Sequence, residues 1–150
     1  MTDDYEKYEQ ACQAIRNDNA ALLEAFAGWL RAKGLSETTV RKHRDNVDFY
    51  VNECLLYEEA TPAAAGVYEV GWFLGYWFIR KGMWASPWSI RSNAASLKKF
   101  YQFMFERDQI DQEALDHVKA QIKEGMPEWL ETVRRYDDPS IEDPADIWGF

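Results

Sequence analysis

Cysteine, histidine and alternating β-branched runs are all scarce in this chain of 150 residues, and each scarcity closes off a class of protein. With only Cys12 and Cys54 there is no disulfide scaffold and no cysteine-rich zinc cage; one bridge is the most the sequence allows. The two histidines, His43 and His117, do not form a pair at metal-ligand spacing, and neither a phosphate-cradling glycine loop nor a nucleophile motif is present, so no metal and no cofactor is expected. The longest apolar stretch, from Gly71 to Ile79, falls far short of the roughly twenty residues a membrane-spanning helix needs, so no membrane partner is expected. Residues Met1 to Glu6 are acidic where a secretory signal is basic, which leads us to expect a cytoplasmic protein. No internal repeat or low-complexity tract stands out.

Acidic charge is plentiful, with a formal net charge of −9. Such a balance argues against a nucleic-acid partner, because phosphate binding draws on lysine and arginine. Its distribution reverses that argument. Residues 1–30 hold two basic and six acidic side chains, residues 31–107 eleven and eight, and residues 108–150 four and twelve. From Val70 through Phe105 there is no Asp or Glu, whereas Arg80, Lys81, Arg91, Lys98 and Lys99 all fall there. A net-acidic chain therefore carries a cationic centre.

The periodicity is helical throughout, and the expected fold class is all-α: a compact bundle of four to five helices with additional N- and C-terminal helices and an acidic tail. A weak helix is expected over Asp3 to Arg16. A second runs from Asn19 to Lys33, with Leu22, Leu23, Phe26, Trp29 and Leu30 at three-to-four spacing and Gly34 as its stop. Ser36 reads as the N-cap of a third helix reaching about Leu56, with Val40, Val47, Tyr50, Val51 and Cys54 on its inner face. Thr61-Pro62 reads as the start of the next helix, whose segment Val70 to Lys81 is apolar nearly all round, so Trp72, Phe73, Tyr76, Trp77 and Ile79 are expected in the core. After Ser86-Pro87, Ser89 is read as the cap of a helix from Ile90 to Glu106, with Ile90, Ala94, Leu97, Tyr101 and Met104 inward. An acidic helix to about Lys123, a break at Gly125-Met126-Pro127, a short helix to Tyr136 and a flexible acidic tail complete the reading. The expected organisation is an extension over 1–18, a helical domain over 19–110, and an acidic extension over 111–150.

Two helices bear on function because they expose basic and small polar residues beside an apolar stripe. On the one after Ser36, Arg41 can pair with Asp45 and Arg44 with Asp48, as on any solvated face. On the one after Ser89 no acid is within reach until Glu106, and cations beside Ser92, Asn93 and Ser96 suit phosphate oxygens and base edges.

At these residues the chain resembles a known family. FAGWLRAKGLSETTVRKHRDNVDF, residues 26–49, is similar to the opening of the amino-terminal, core-binding domain of tyrosine recombinases and phage integrases. WSIRSNAASLKKFYQF, residues 88–103, is similar to the final long helix of that domain. The resemblance covers roughly residues 20–110. It implies a SAM-like helical bundle that grips one side of duplex DNA, with the two matching helices facing the DNA. Carried over position by position, it nominates Arg41, Lys42, His43 and Arg44 on the first helix, and Arg91, Asn93, Ser96, Lys98 and Lys99 on the second. Lysines and arginines would hold phosphates, and Asn93 and Arg91 would touch base edges.

Recombinase chemistry resides in a separate carboxyl-terminal domain, and its His-x-x-Arg motif is missing: His43 is followed at the third position by Asn46, and His117 by Ala120. No strand-exchange activity, and no enzymatic role, is expected. Double-stranded DNA is the expected partner. The alternative is a helical protein-interaction or structural domain, docking or self-associating through its acidic flanks with Trp129 and the end Ile147-Trp148-Gly149-Phe150. A further expectation is that the acidic flanks fold over the cationic helix and weaken its hold on DNA.

Overall fold

The computed structural model describes residues 2–81 and 85–136, and these form an all-α bundle built on one shared core. Its helices are α1 (Thr2–Ala32), α2 (Glu37–Phe49), α3 (Val70–Trp72), α4 (Phe78–Lys81), α5 (Pro87–Glu106) and α6 (Gln112–Tyr136). A π-helical turn, Tyr50–Cys54, prolongs α2, a second, Phe73–Trp77, joins α3 to α4, and a 3-10 helix, Ala63–Tyr68, precedes α3.

The apolar stripes read from the sequence on α1, α2 and α5 are buried, except that Leu22 and Trp29 are half-buried against the core. Phe26, Leu30, Val40, Val47, Tyr50, Ile90, Leu97 and Tyr101 are all in the core. Gly34 ends α1 at φ +88°, a conformation that glycine takes without Cβ strain. Ser36 caps α2, accepting the Thr39 backbone N–H. Two buried tyrosines then pin the 3-10 helix: Tyr50 donates to the Gly66 carbonyl at 2.6 Å and Tyr101 to that of Ala63 at 2.8 Å. Gly66 is obligatory here, since a Cβ would stand 2.6 Å from the Tyr101 hydroxyl and 2.7 Å from Leu55.

Several expected boundaries move. The two helices expected at the N-terminus are one: α1 crosses Asn17-Asp18-Asn19 unbroken, because buried Asn19 turns inward and donates to the Val51 carbonyl at 3.3 Å and to Asn52 Oδ1 at 2.8 Å. Thr61 is not a side-chain cap; Pro62 takes the cap position, and the turn that follows is 3-10. The cap of α5 is Ser86, three residues earlier than expected, with Ser89 as the reciprocating member of a capping box and Pro87 in the first turn. Trp72 and Tyr76 lie at the surface rather than in the core, unlike Phe73, Trp77 and Ile79.

No break occurs at Gly125-Met126-Pro127, and α6 passes through Pro127. The lost backbone bond is offset by packing: Trp129, Leu130 and Val133 beyond the proline join Leu115, Val118 and Ile122 in the core. The Trp129 indole fits against Gly75 and Gly125, where an added Cβ would collide with it. Gln121 locks the same contact, accepting the Gly71 N–H at 2.9 Å and donating to the Val67 carbonyl at 2.6 Å. The acidic extension therefore begins as a structural helix of the core. The expected flexible tail and the Ile147–Phe150 end lie outside the described residues.

Candidate nucleic-acid interface

Helices α2 and α5 pack along one another, and their seam is polar. His43 Nδ1 lies 2.7 Å from Ser96 Oγ, and Asn46 Nδ2 donates to Ser96 Oγ at 2.9 Å and to Ser92 Oγ at 3.1 Å. The Ser96 hydroxyl has one proton; given to the Ser92 carbonyl at 3.0 Å, it leaves Oγ to accept from both Asn46 and the imidazole. His43 and Ser96 are both buried. Burial, with smaller contributions from Lys42 and Lys99, holds the imidazole pKa down at about 4, so the ring is neutral at pH 7.

The nominated residues accordingly divide. His43, Asn93 and Ser96 are buried and cannot reach a partner as they stand. Asn93 donates to the Ser89 carbonyl of its own helix at 2.9 Å, so it does not read a base edge. Arg44 is turned toward α1 and pairs with Glu24, not with Asp48, which instead accepts from Asn52 Nδ2 at 2.6 Å. Arg41 is exposed but forms no ion pair with Asp45; it adds a small contribution to the lowering of the Glu37 carboxyl, which the Arg31 contact dominates.

Lys42, Arg91, Lys98 and Lys99 remain, all exposed. Among the described residues none of them has a carboxylate within ion-pair distance. Lys42 from α2 and Lys99 from α5 flank the seam, since both act on His43. Arg91 and Lys98 are seven residues apart, two turns along one side of α5, and the cations from Arg91 to Lys99 span about 12 Å of helix. The expected cationic stripe is thus present on one face, built by fewer residues than nominated.

Sequence reasoning passed over one residue on that face. Trp88, one turn before Arg91, is 70% exposed, and the signal was available: it lies three residues from Arg91 and seven from Ala95, opposite the apolar stripe. At the other end Glu106 closes the stripe; hydrogen bonds from Gln102 and Trp29 hold its carboxyl below the usual range.

Two cavities, of about 410 and 370 Å³, are lined by other residues. Among the described residues no group of three or more His, Cys, Asp or Glu could hold a metal ion, and no helix is long and apolar enough to cross a membrane. No protein-family model, curated protein or solved structure matches the chain.

Proposed function

We propose that this protein is a DNA-binding module of the core-binding type, gripping duplex DNA through one face of α5 with Lys42 of α2 beside it. The carrying observation is that Arg91, Lys98 and Lys99 stand exposed on one side of α5, without a carboxylate partner among the described residues. Unpaired, solvated cations on a helix release counterions when they meet phosphates. Lys42 and Lys99 are held at a fixed separation by the hydrogen-bonded seam beneath them, which favours a defined docking register over a diffuse attraction. Base reading falls to Arg91, because Asn93 is turned inward. The role assigned is recognition alone, with no strand-exchange chemistry.

The test is an anisotropy titration of a labelled duplex at low salt with the full chain and with R91A/K98A/K99A. Binding by the first and its loss in the second support the reading. Equal binding by both places the contact elsewhere.

A further inference from the structure

Trp88 is 70% exposed, more than any other large apolar side chain among the described residues. No ring, cation or hydrogen-bonding group of those residues engages its indole. The other described tryptophans are taken up by the fold: Trp29 stacks on Phe26 and Trp72 on Tyr76, Trp77 packs against Phe49, and Trp129 seats against Gly75 and Gly125. An indole is among the largest apolar surfaces a side chain can bury, and Trp88 buries little of it.

The backbone under Trp88 is well anchored. Pro87 starts α5, Ser86 Oγ accepts the Ser89 N–H at 3.1 Å, and Ser89 Oγ accepts the Ser86 N–H at 2.8 Å. Ser89 and Ile90, the next two residues, are buried. The indole is therefore held out from the bundle by a capped turn fixed in the core.

Its neighbours on that face are cationic. Arg91, Lys98 and Lys99 follow at three, ten and eleven residues, which the helical period keeps on one side, and among the described residues none has a carboxylate partner. Apolar contact with another protein would desolvate these cations without neutralising them. A polyanion that also offers apolar groups satisfies both the indole and the charges.

The duplex limits which apolar group the indole meets. Base faces are covered by their stacked neighbours, so only edges are offered, and the apolar group on a major-groove edge is the thymine C5-methyl. Arg91, the residue assigned to base reading, suits guanine O6 and N7. Trp88 precedes it by about 4.5 Å along the helix axis, near the roughly 3.4 Å between successive base pairs. Adjacent side chains thus fall over adjacent base pairs.

We infer that Trp88 is a specificity-determining residue, its indole packing on the methyl group of a thymine next to the guanine that Arg91 takes. The inference rests on the DNA reading and supplies a selectivity that phosphate contacts lack.

The test compares two labelled duplexes by anisotropy at one salt concentration. One alternates thymine and guanine along a strand; the other carries 2′-deoxyuridine in place of every thymine, which deletes the methyl group alone. The full chain should bind the thymine duplex about fourfold more tightly, the worth of one buried methyl group. Trp88→Ala should bind the two equally and keep the wild-type salt slope, because it removes no charge. Equal affinity of the full chain for both duplexes would overturn this inference alone, as would a thymine preference that persists in Trp88→Ala. Failure of the full chain to bind either duplex would overturn the DNA reading and this inference with it.

Discussion

His43 Nδ1 and Ser96 Oγ, 2.7 Å apart, tie α2 to α5 directly beneath the cationic surface. Ser96 is fully buried and accepts from Asn46 as well, so its hydroxyl is the hub of the seam. Ser96→Ala should destabilise the fold by about 1–3 kcal/mol, because it leaves buried polar groups without a partner. Urea denaturation measures this, and an unchanged midpoint would show that the seam contributes nothing.

The same pair makes stability depend on pH in a defined window. The imidazole pKa is held at about 4 in the folded state, below its ordinary value of 6.5. The unfolded chain therefore binds the proton more readily between those values. Stability from neutral burial is complete above about pH 6.5, is lost progressively as pH falls toward 4, and changes no further below that. We expect a loss on the order of 2 kcal/mol across the window. It should be absent from His43→Gln, a comparison that removes the common contribution of the carboxylates. An imidazole that titrates near 6.5 by NMR would contradict the assignment.

Glycine substitutions should have opposite signs at two kinds of helical site. Gly28 has open space where a Cβ would go, so Gly28→Ala should stabilise by about 1 kcal/mol through helix propensity alone. Gly75 and Gly125 face the Trp129 indole, and alanine at either should destabilise by about 1–3 kcal/mol despite the same propensity gain. Thermal or urea unfolding of the three variants settles the signs.

Truncation should separate the acidic helix from the acidic tail. Helix α6 buries Leu115, Val118, Ile122, Leu130 and Val133, so a chain ending at Arg107 should lose its cooperative unfolding transition, whereas one ending at Tyr136 should keep it. The Tyr136 form lacks Asp137, Asp138, Glu142, Asp143 and Asp146. It should bind duplex DNA more tightly at low salt, since five negative charges have been taken from the molecule. Unaltered affinity would rule out inhibition by the tail.

Much of the fold was legible because helical period and apolar spacing dominate it. Ser36 and Gly34 punctuate α2 and α1 as their chemistry dictates, and the stripe from Ile90 to Met104 is buried as read. Tertiary contacts account for the misreadings. Asn17-Asp18-Asn19 looked like a break until Asn19 found the Val51 carbonyl, freed where α2 widens into a π-turn. Pro127 looked like a stop, yet Trp129 seats against the glycines of two segments. At the candidate interface charge was a sound guide to exposure and polarity was not. Lysines and arginines must stay solvated, whereas Asn93, Ser96 and His43 can satisfy their hydrogen bonds inside, through the Ser89 and Ser92 carbonyls and one another. The spacing held a warning: Asn93 falls three residues after Ile90 and four before Leu97, on the buried stripe itself.

The salt dependence of duplex binding tests the central claim most directly. The logarithm of the affinity should fall linearly with the logarithm of salt concentration, and R91A/K98A/K99A should flatten that line by about three units, close to one per phosphate contact removed. Arg44→Ala, which removes only the partner of Glu24, should leave the slope as it is. A slope unchanged by the triple variant, or flattened as much by Arg44→Ala, would show that the α5 face is not where this protein meets DNA.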